Sequence, residues 1–119
     1  MAISKVKNNP SIVEHGTTAT FTYRKWSDGT SECWGNIGIA NTSNGAYSGN
    51  FPSGLFIDYP TVSVTNWYGK QSDANRGARN CIVTDGSSAT QLNVYFRKAD
   101  GTNYTGYFGI SIHAIGRWN

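Results

Sequence analysis

Thr20-Phe21-Thr22-Tyr23-Arg24-Lys25-Trp26-Ser27-Asp28-Gly29-Thr30-Ser31-Glu32-Cys33-Trp34-Gly35 decides the fold. Phe21 and Tyr23 alternate with Thr20, Thr22 and Arg24, which is the period of two that a half-buried strand needs. Ser27-Asp28-Gly29 interrupts the alternation with the chemistry of a tight hairpin. The return strand, read over residues 30–38, places Glu32, Trp34 and Asn36 on one face and Ser31, Cys33 and Gly35 on the other. Trp34 followed by Gly35 is read as close packing against a facing layer. On that reading, Trp34→Ala costs about 3–5 kcal/mol.

The pattern recurs on both sides of this hairpin. Residues 1–16 are polar, carry Pro10, and read as a connector to a sandwich over residues 17–119. Residues 41–54 are rich in Asn, Ser and Gly, with a short strand near 46–51. Pro52 and Pro60 bracket the apolar Leu55-Phe56-Ile57. Residues 61–65 alternate cleanly, and Trp67-Tyr68 end that strand. A polar loop over 69–77 precedes a strand at 79–84. In the strand at 90–97, Leu92, Val94 and Phe96 point inward while Asn93, Tyr95 and Arg97 point outward. The last strand, read over 104–118, gathers Phe108, Ile110, Ile112 and Ala114 on one face. Its other face carries Tyr107, Ser111, His113 and Ile115, apolar enough to meet a second layer or a neighbouring subunit. About six to seven strands with turn signals and no helical period predict an all-β antiparallel β-sandwich.

Composition agrees. The chain has 119 residues, which fits one domain. Leu occurs only at Leu55 and Leu92, and Glu only at Glu14 and Glu32, so strong helix formers are scarce. The net charge is +3, with the basic residues scattered, whereas nucleic-acid binders concentrate them on one face. The start lacks the apolar core of a signal peptide, and no stretch reaches the ~20 apolar residues of a membrane helix. The expectation is a soluble chain made in the cytoplasm, or a piece of a longer one, with no membrane insertion. Cys33 and Cys81 form no CxxC motif and read as buried free thiols.

Catalytic chemistry finds little support. Asp28, Asp85 and Asp100 each precede Gly in a turn, which accounts for them. Glu14, Glu32, Asp58 and Asp73 offer no local motif for the carboxylate pair a glycosidase needs. His15 and His113 have no metal spacing, and neither a GxSxG elbow nor a phosphate-binding Gly motif occurs. The expectation is no enzyme, no cofactor and no metal site.

The aromatics carry the functional signal. Four Trp and seven Tyr exceed what a small core needs. Trp26, Trp67, Tyr68, Tyr95, Tyr104 and Tyr107 fall at strand ends or opposite the apolar set. Their flat faces and polar tips suit sugar rings, single-stranded bases or subunit interfaces.

Ile12-Val13-Glu14-His15-Gly16, followed by the Phe21 to Gly35 hairpin, resembles a recurrent segment of bacteriophage tail and prophage minor structural proteins. Gly109-Ile110-Ser111-Ile112-His113-Ala114-Ile115-Gly116-Arg117-Trp118 resembles the terminal strand of tail-fibre tip domains. The layout is also similar to that of H-type lectins, small trimeric sandwiches that bind sugars between subunits. Those lectins place a Trp-His pair and a Tyr before the last strand, and only Tyr104 corresponds here. The resemblance implies a tail-fibre, baseplate or tail-tip domain, homotrimeric, contacting other tail proteins and a polysaccharide on the bacterial surface. It would be assembled in the host cytoplasm and act extracellularly in the virion. The expected glycan contacts are Trp67, Tyr68, Arg79, Arg97 and Tyr104, at the edges of two loops that symmetry would bring together. Failing these, the hairpin end around Trp26 is next. Three rivals are a trimerisation or capping module without a ligand, a single-stranded nucleic-acid binder with steep salt dependence, and an enzyme that cleaves surface polysaccharide, against which the lack of a catalytic constellation argues.

Overall fold

The computed structural model describes residues 9–42, 46–69, 79–83, 88–98 and 106–119, without the side chains of 39–42, 66–69, 79–83, 96, 98 and 106–108. Among the described residues, eight strands run in chain order: β1 (Ile12–Thr17), β2 (Thr22–Trp26), β3 (Thr30–Thr42), β4 (Ala46–Asn50), β5 (Thr61–Gly69), β6 (Arg79–Val83), β7 (Gln91–Lys98) and β8 (Gly106–Arg117). They form a five-stranded sheet, β1-β2-β3-β8-β5, and a three-stranded sheet, β4-β7-β6. Every pairing is antiparallel. The all-β sandwich read from the sequence is the observed architecture.

The Phe21 to Gly35 segment folds as a hairpin for the reasons its sequence gives. Gly29 takes a φ of 93°, open to glycine at no steric cost, and its N–H donates to the Trp26 carbonyl at 3.0 Å. Asp28 accepts from both the backbone N–H and the hydroxyl of Thr30, at 2.9 and 2.7 Å. Those bonds from Thr30, its side chain first, hold the Asp28 carboxyl below its ordinary range. Strands β2 and β3 then pair from Lys25 opposite Ser31 to Thr22 opposite Trp34.

The core lies between the sheets. Cys33, Ile110, Ile112 and Ala114 come from the large sheet, and Leu92 and Val94 from the small one. The five from β7 and β8 occupy the inward phase that their alternation predicts. Phe21, Phe51, Leu55 and Phe56 fill the remaining space from the connections. Phe51 sits 6.0 Å from the Phe21 ring and meets Phe56 edge-on at 5.1 Å. Burial pushes the free Cys33 thiol up to about 12.

The connection between β4 and β5 plugs one end of the sandwich. Phe51, Pro52, Leu55, Phe56 and Pro60 are buried there. Gly54 turns the chain with a φ of 71°, the Ser31 hydroxyl donates to the Leu55 carbonyl at 2.7 Å, and the Ile57 N–H donates to Arg117 O at 2.9 Å. Trp118 closes the same end: its indole N–H donates to Trp26 O at 2.8 Å, and Lys25 Nζ lies 5.3 Å from its ring.

Three expectations are corrected. The chain enters the sheet at Ile12, inside the stretch read as a connector, because β1 is an edge strand paired with β2 and its short sequence, exposed on five of six residues, lacks alternation. Thr42 rather than Gly38 ends β3. Trp34 points away from the core. Its partners in register are Thr22 and His113, on the outer face, while Cys33 takes the buried position. Gly35 does mark a close approach, but on the inner face: a Cβ there would overlap the Thr20 carbonyl. The turn from Thr18 to Phe21 thus lies across β3. The Thr18 hydroxyl accepts the Phe21 N–H at 2.9 Å, and Phe21 drops into the core 1% exposed.

Phe21→Ala should therefore lower stability by about 3–5 kcal/mol and Gly35→Ala by about 1–3 kcal/mol through overpacking. Trp34→Ala should lose only about 1–2 kcal/mol, part of it the cation contact described below. Urea denaturation of the three variants checks the order. A Trp34 loss equal to that of Phe21 would contradict its outward placement.

Candidate functional site

Two regions bear groups suited to recognition. The first is the end of the sandwich opposite the plug. Strand order brings the ends of β3, β5 and β7 and the starts of β4, β6 and β8 to it. Trp67 and Tyr68 lie in the last residues of β5, beyond a register shift between Asn66 and Tyr68. Arg79 opens β6 opposite Lys98, and Arg97 on β7 faces Cys81. The backbone thus carries four of the five expected glycan residues to one end, although 67 and 68 are on the large sheet and 79 and 97 on the small one. The side chains of Trp67, Tyr68 and Arg79, and Tyr104 altogether, lie outside the described residues. Arg97 is half-buried on the outward face, and its guanidinium stands 5.0 Å from the Tyr95 ring. That Arg-on-Tyr arrangement fixes a hydrogen-bonding fork beside an aromatic edge.

The second region is the outer face of the large sheet. Register aligns His15, Arg24, Glu32, Ile115 and Thr61 in one row across its five strands, and Thr17, Thr22, Trp34, His113 and Ser63 in the next. Arg24 Nε donates to Glu32 Oε1 at 2.9 Å, and His113 Nε2 lies 2.8 Å from Glu32 Oε2. The Arg24 guanidinium stands 4.7 Å from the Trp34 ring and 5.2 Å from that of Trp26. Glu32 is 9% exposed. Burial opposes its charge, but the hydrogen bonds from His113 and Arg24 outweigh that, and its carboxyl is held below the ordinary value. An open depression of about 510 Å³ lies beside Arg24, toward the β1 edge.

Reading residues one at a time missed this cluster. Glu32 and His113 stand 81 positions apart, and neither belongs to a local motif. The available signal was the shared phase of Arg24, Glu32 and Trp34 in the hairpin, together with the polar positions of a last strand whose other face is apolar. Trp26, the fallback position, does belong to the cluster through Arg24. Among the described residues, no group of three or more His, Cys, Asp or Glu gathers as metal ligands would.

No family model matches this chain, and no curated protein sequence matches it. Solved structures do. The N-truncated R2-type pyocin tail fibre aligns with a TM-score of 0.60 at 16% identity, covering 98% of this chain and 41% of that one. The C-terminal part of the P. aeruginosa R2 pyocin fibre aligns with the same score and identity, over 98% of this chain and 28% of its own. The N-truncated R1-type pyocin tail fibre aligns at 0.58 and 16% identity, over 97% of this chain and 93% of that one. This chain spans less than half the length of the two R2 structures and nearly all of the R1 fragment. Its antiparallel β fold is similar to that of these pyocin tail fibres.

Proposed function

We propose that this chain is the tip or baseplate domain of a phage or prophage tail fibre, attaching the particle to a carbohydrate on the bacterial surface. The observation that carries this is the end-to-end fold likeness to pyocin tail fibres, which covers 98% of this chain in one case. It agrees with the resemblance of the hairpin and final strand to tail proteins. On this reading the domain is a binding module and not an enzyme, and it works in the virion tail beside other tail proteins.

Recognition is assigned to Trp67, Tyr68, Arg79, Arg97 and Tyr104, residue types that offer ring faces for stacking and guanidinium donors for hydroxyls. Loops and strand ends on a rigid sandwich are where binding residues concentrate. Three copies on one axis would raise weak single-site affinity by avidity.

A second reading, assembly without a ligand, draws on the opposite end. Ile57, Tyr59 and Ile115 are 65%, 53% and 43% exposed. They lie close together along the chain and across the start of β5, since Ile115 pairs with Thr61 and Ile57 bonds Arg117. Apolar side chains left open in this way suit a subunit interface.

Two outcomes are expected. Sedimentation should give a homotrimer of about 39 kDa, three times the 13.0 kDa chain; a stable monomer at micromolar concentration would refute it. The Arg97→Ala/Tyr104→Ala double variant should lose retention on immobilised bacterial surface polysaccharide that the unaltered chain binds, while keeping its mass and melting temperature. Undiminished retention would move the glycan site away from the loop end.

A further inference from the structure

We infer that the outer face of the large sheet carries a saccharide site of its own, in which Arg24 presents its guanidinium to the hydroxyls of a neutral sugar. The inference shares only its ligand class with the reading above and concerns different residues.

Arg24 is the centre of the argument. Its side chain is 40% exposed, and exposed arginines ordinarily sample many rotamers. Here Nε is fixed by Glu32, Glu32 is fixed in turn by His113, and two indoles lie within 5.2 Å of the guanidinium. Nε serves the fold by offsetting the charge of the nearly buried Glu32, and that task does not use the terminal amino groups. The contact with Glu32 uses Nε, and among the described residues no partner takes the two terminal amino groups. The result is a rigid fork with free donors, the preorganised element that binding sites need.

The surroundings define the ligand. The depression beside Arg24 is lined by His15, Thr17, Thr22, Tyr23 and Trp34 among others. Its volume of about 510 Å³ lies within the range of small-molecule sites. The hydroxyls of Thr17 and Thr22 both donate and accept, as sugar hydroxyls do. Trp34 adds apolar ring surface for the C–H side of a sugar. Glu32 already offsets the Arg24 charge, so the site offers directed donors with little net field. That combination favours a neutral polyol over a carboxylate or phosphate, which would meet the Glu32 charge behind the arginine.

The test is a ¹H–¹⁵N titration of the full chain with glucose, galactose, mannose and rhamnose singly, with glucuronate and inorganic phosphate as charged comparisons. At least one neutral sugar should shift the Trp34 indole N–H and the amides of Thr17 and Thr22, saturating in the millimolar range. Arg24→Lys, which keeps the charge and loses the fork, should weaken that binding by about tenfold or more. Thr17→Val, on the exposed edge strand and so harmless to the core, should weaken it to a smaller degree. Silence of these signals with every neutral sugar would overturn the inference, as would tighter binding of glucuronate or phosphate, or unchanged affinity in both variants. Shifts confined to Trp67 and its neighbours would sink this site and leave the loop-end reading standing. Shifts at Trp34 alone would do the reverse.

Discussion

The pairing of β3 with β8 is the constraint on which the rest depends. It joins the first half of the chain to its end, from Thr30 opposite Arg117 to Thr42 opposite Gly106. One slip of β8 against β3 would turn Ile110, Ile112 and Ala114 out to solvent and bring His113 toward the core. The same alternation that fixes the core therefore fixes the outer face, because Glu32 and His113 meet only where Trp34 is opposite His113. Closing so distant a contact costs chain entropy. The hairpin at Asp28-Gly29 and the bonds of Trp118 to Gly29 and Trp26 pin one end of the ladder.

Glycine and aromatic positions convert this ladder into a domain. Gly35 lets the Thr20 carbonyl lie on the sheet, and Phe21 follows into the core. Gly116 does the same for Phe56 and Pro60, which come within 3.0 and 3.4 Å of where a Cβ would stand. Two positions of the central ladder, opposite Ile112 and Ser31, thus receive a connection rather than a side chain of their own. The small sheet then has only to supply Leu92 and Val94 to complete the interior. Nothing in this scheme uses the outward positions, which leaves them open to acquire binding groups.

The sequence made the strands with one apolar face plain. Leu92 and Val94, and Ile110, Ile112 and Ala114, alternate with polar residues and are buried as expected. It was less informative where both phases held plausible core residues. In β3 the choice lay between Cys33 and Trp34, and the larger side chain drew the wrong inference: the bulky ring stays partly exposed under Arg24. Residues 12–17 were illegible as a strand because an edge strand of which nearly every residue is exposed has no burial pattern to display. The loop end was visible as aromatics and arginines beside turn signals, and strand order gathers their backbone positions. The Arg24–Glu32–His113 cluster was not visible, because its members meet only through the register of three strands.

The proposed function requires this sandwich to bind saccharide by directed donors and ring surfaces rather than by bulk charge. The most direct measurement is an array of bacterial surface polysaccharides probed with the unaltered chain at low and high salt. The account expects binding to a restricted set of glycans, nearly unchanged by salt. Binding to no glycan, or binding that tracks ligand charge and falls steeply as salt rises, would contradict it.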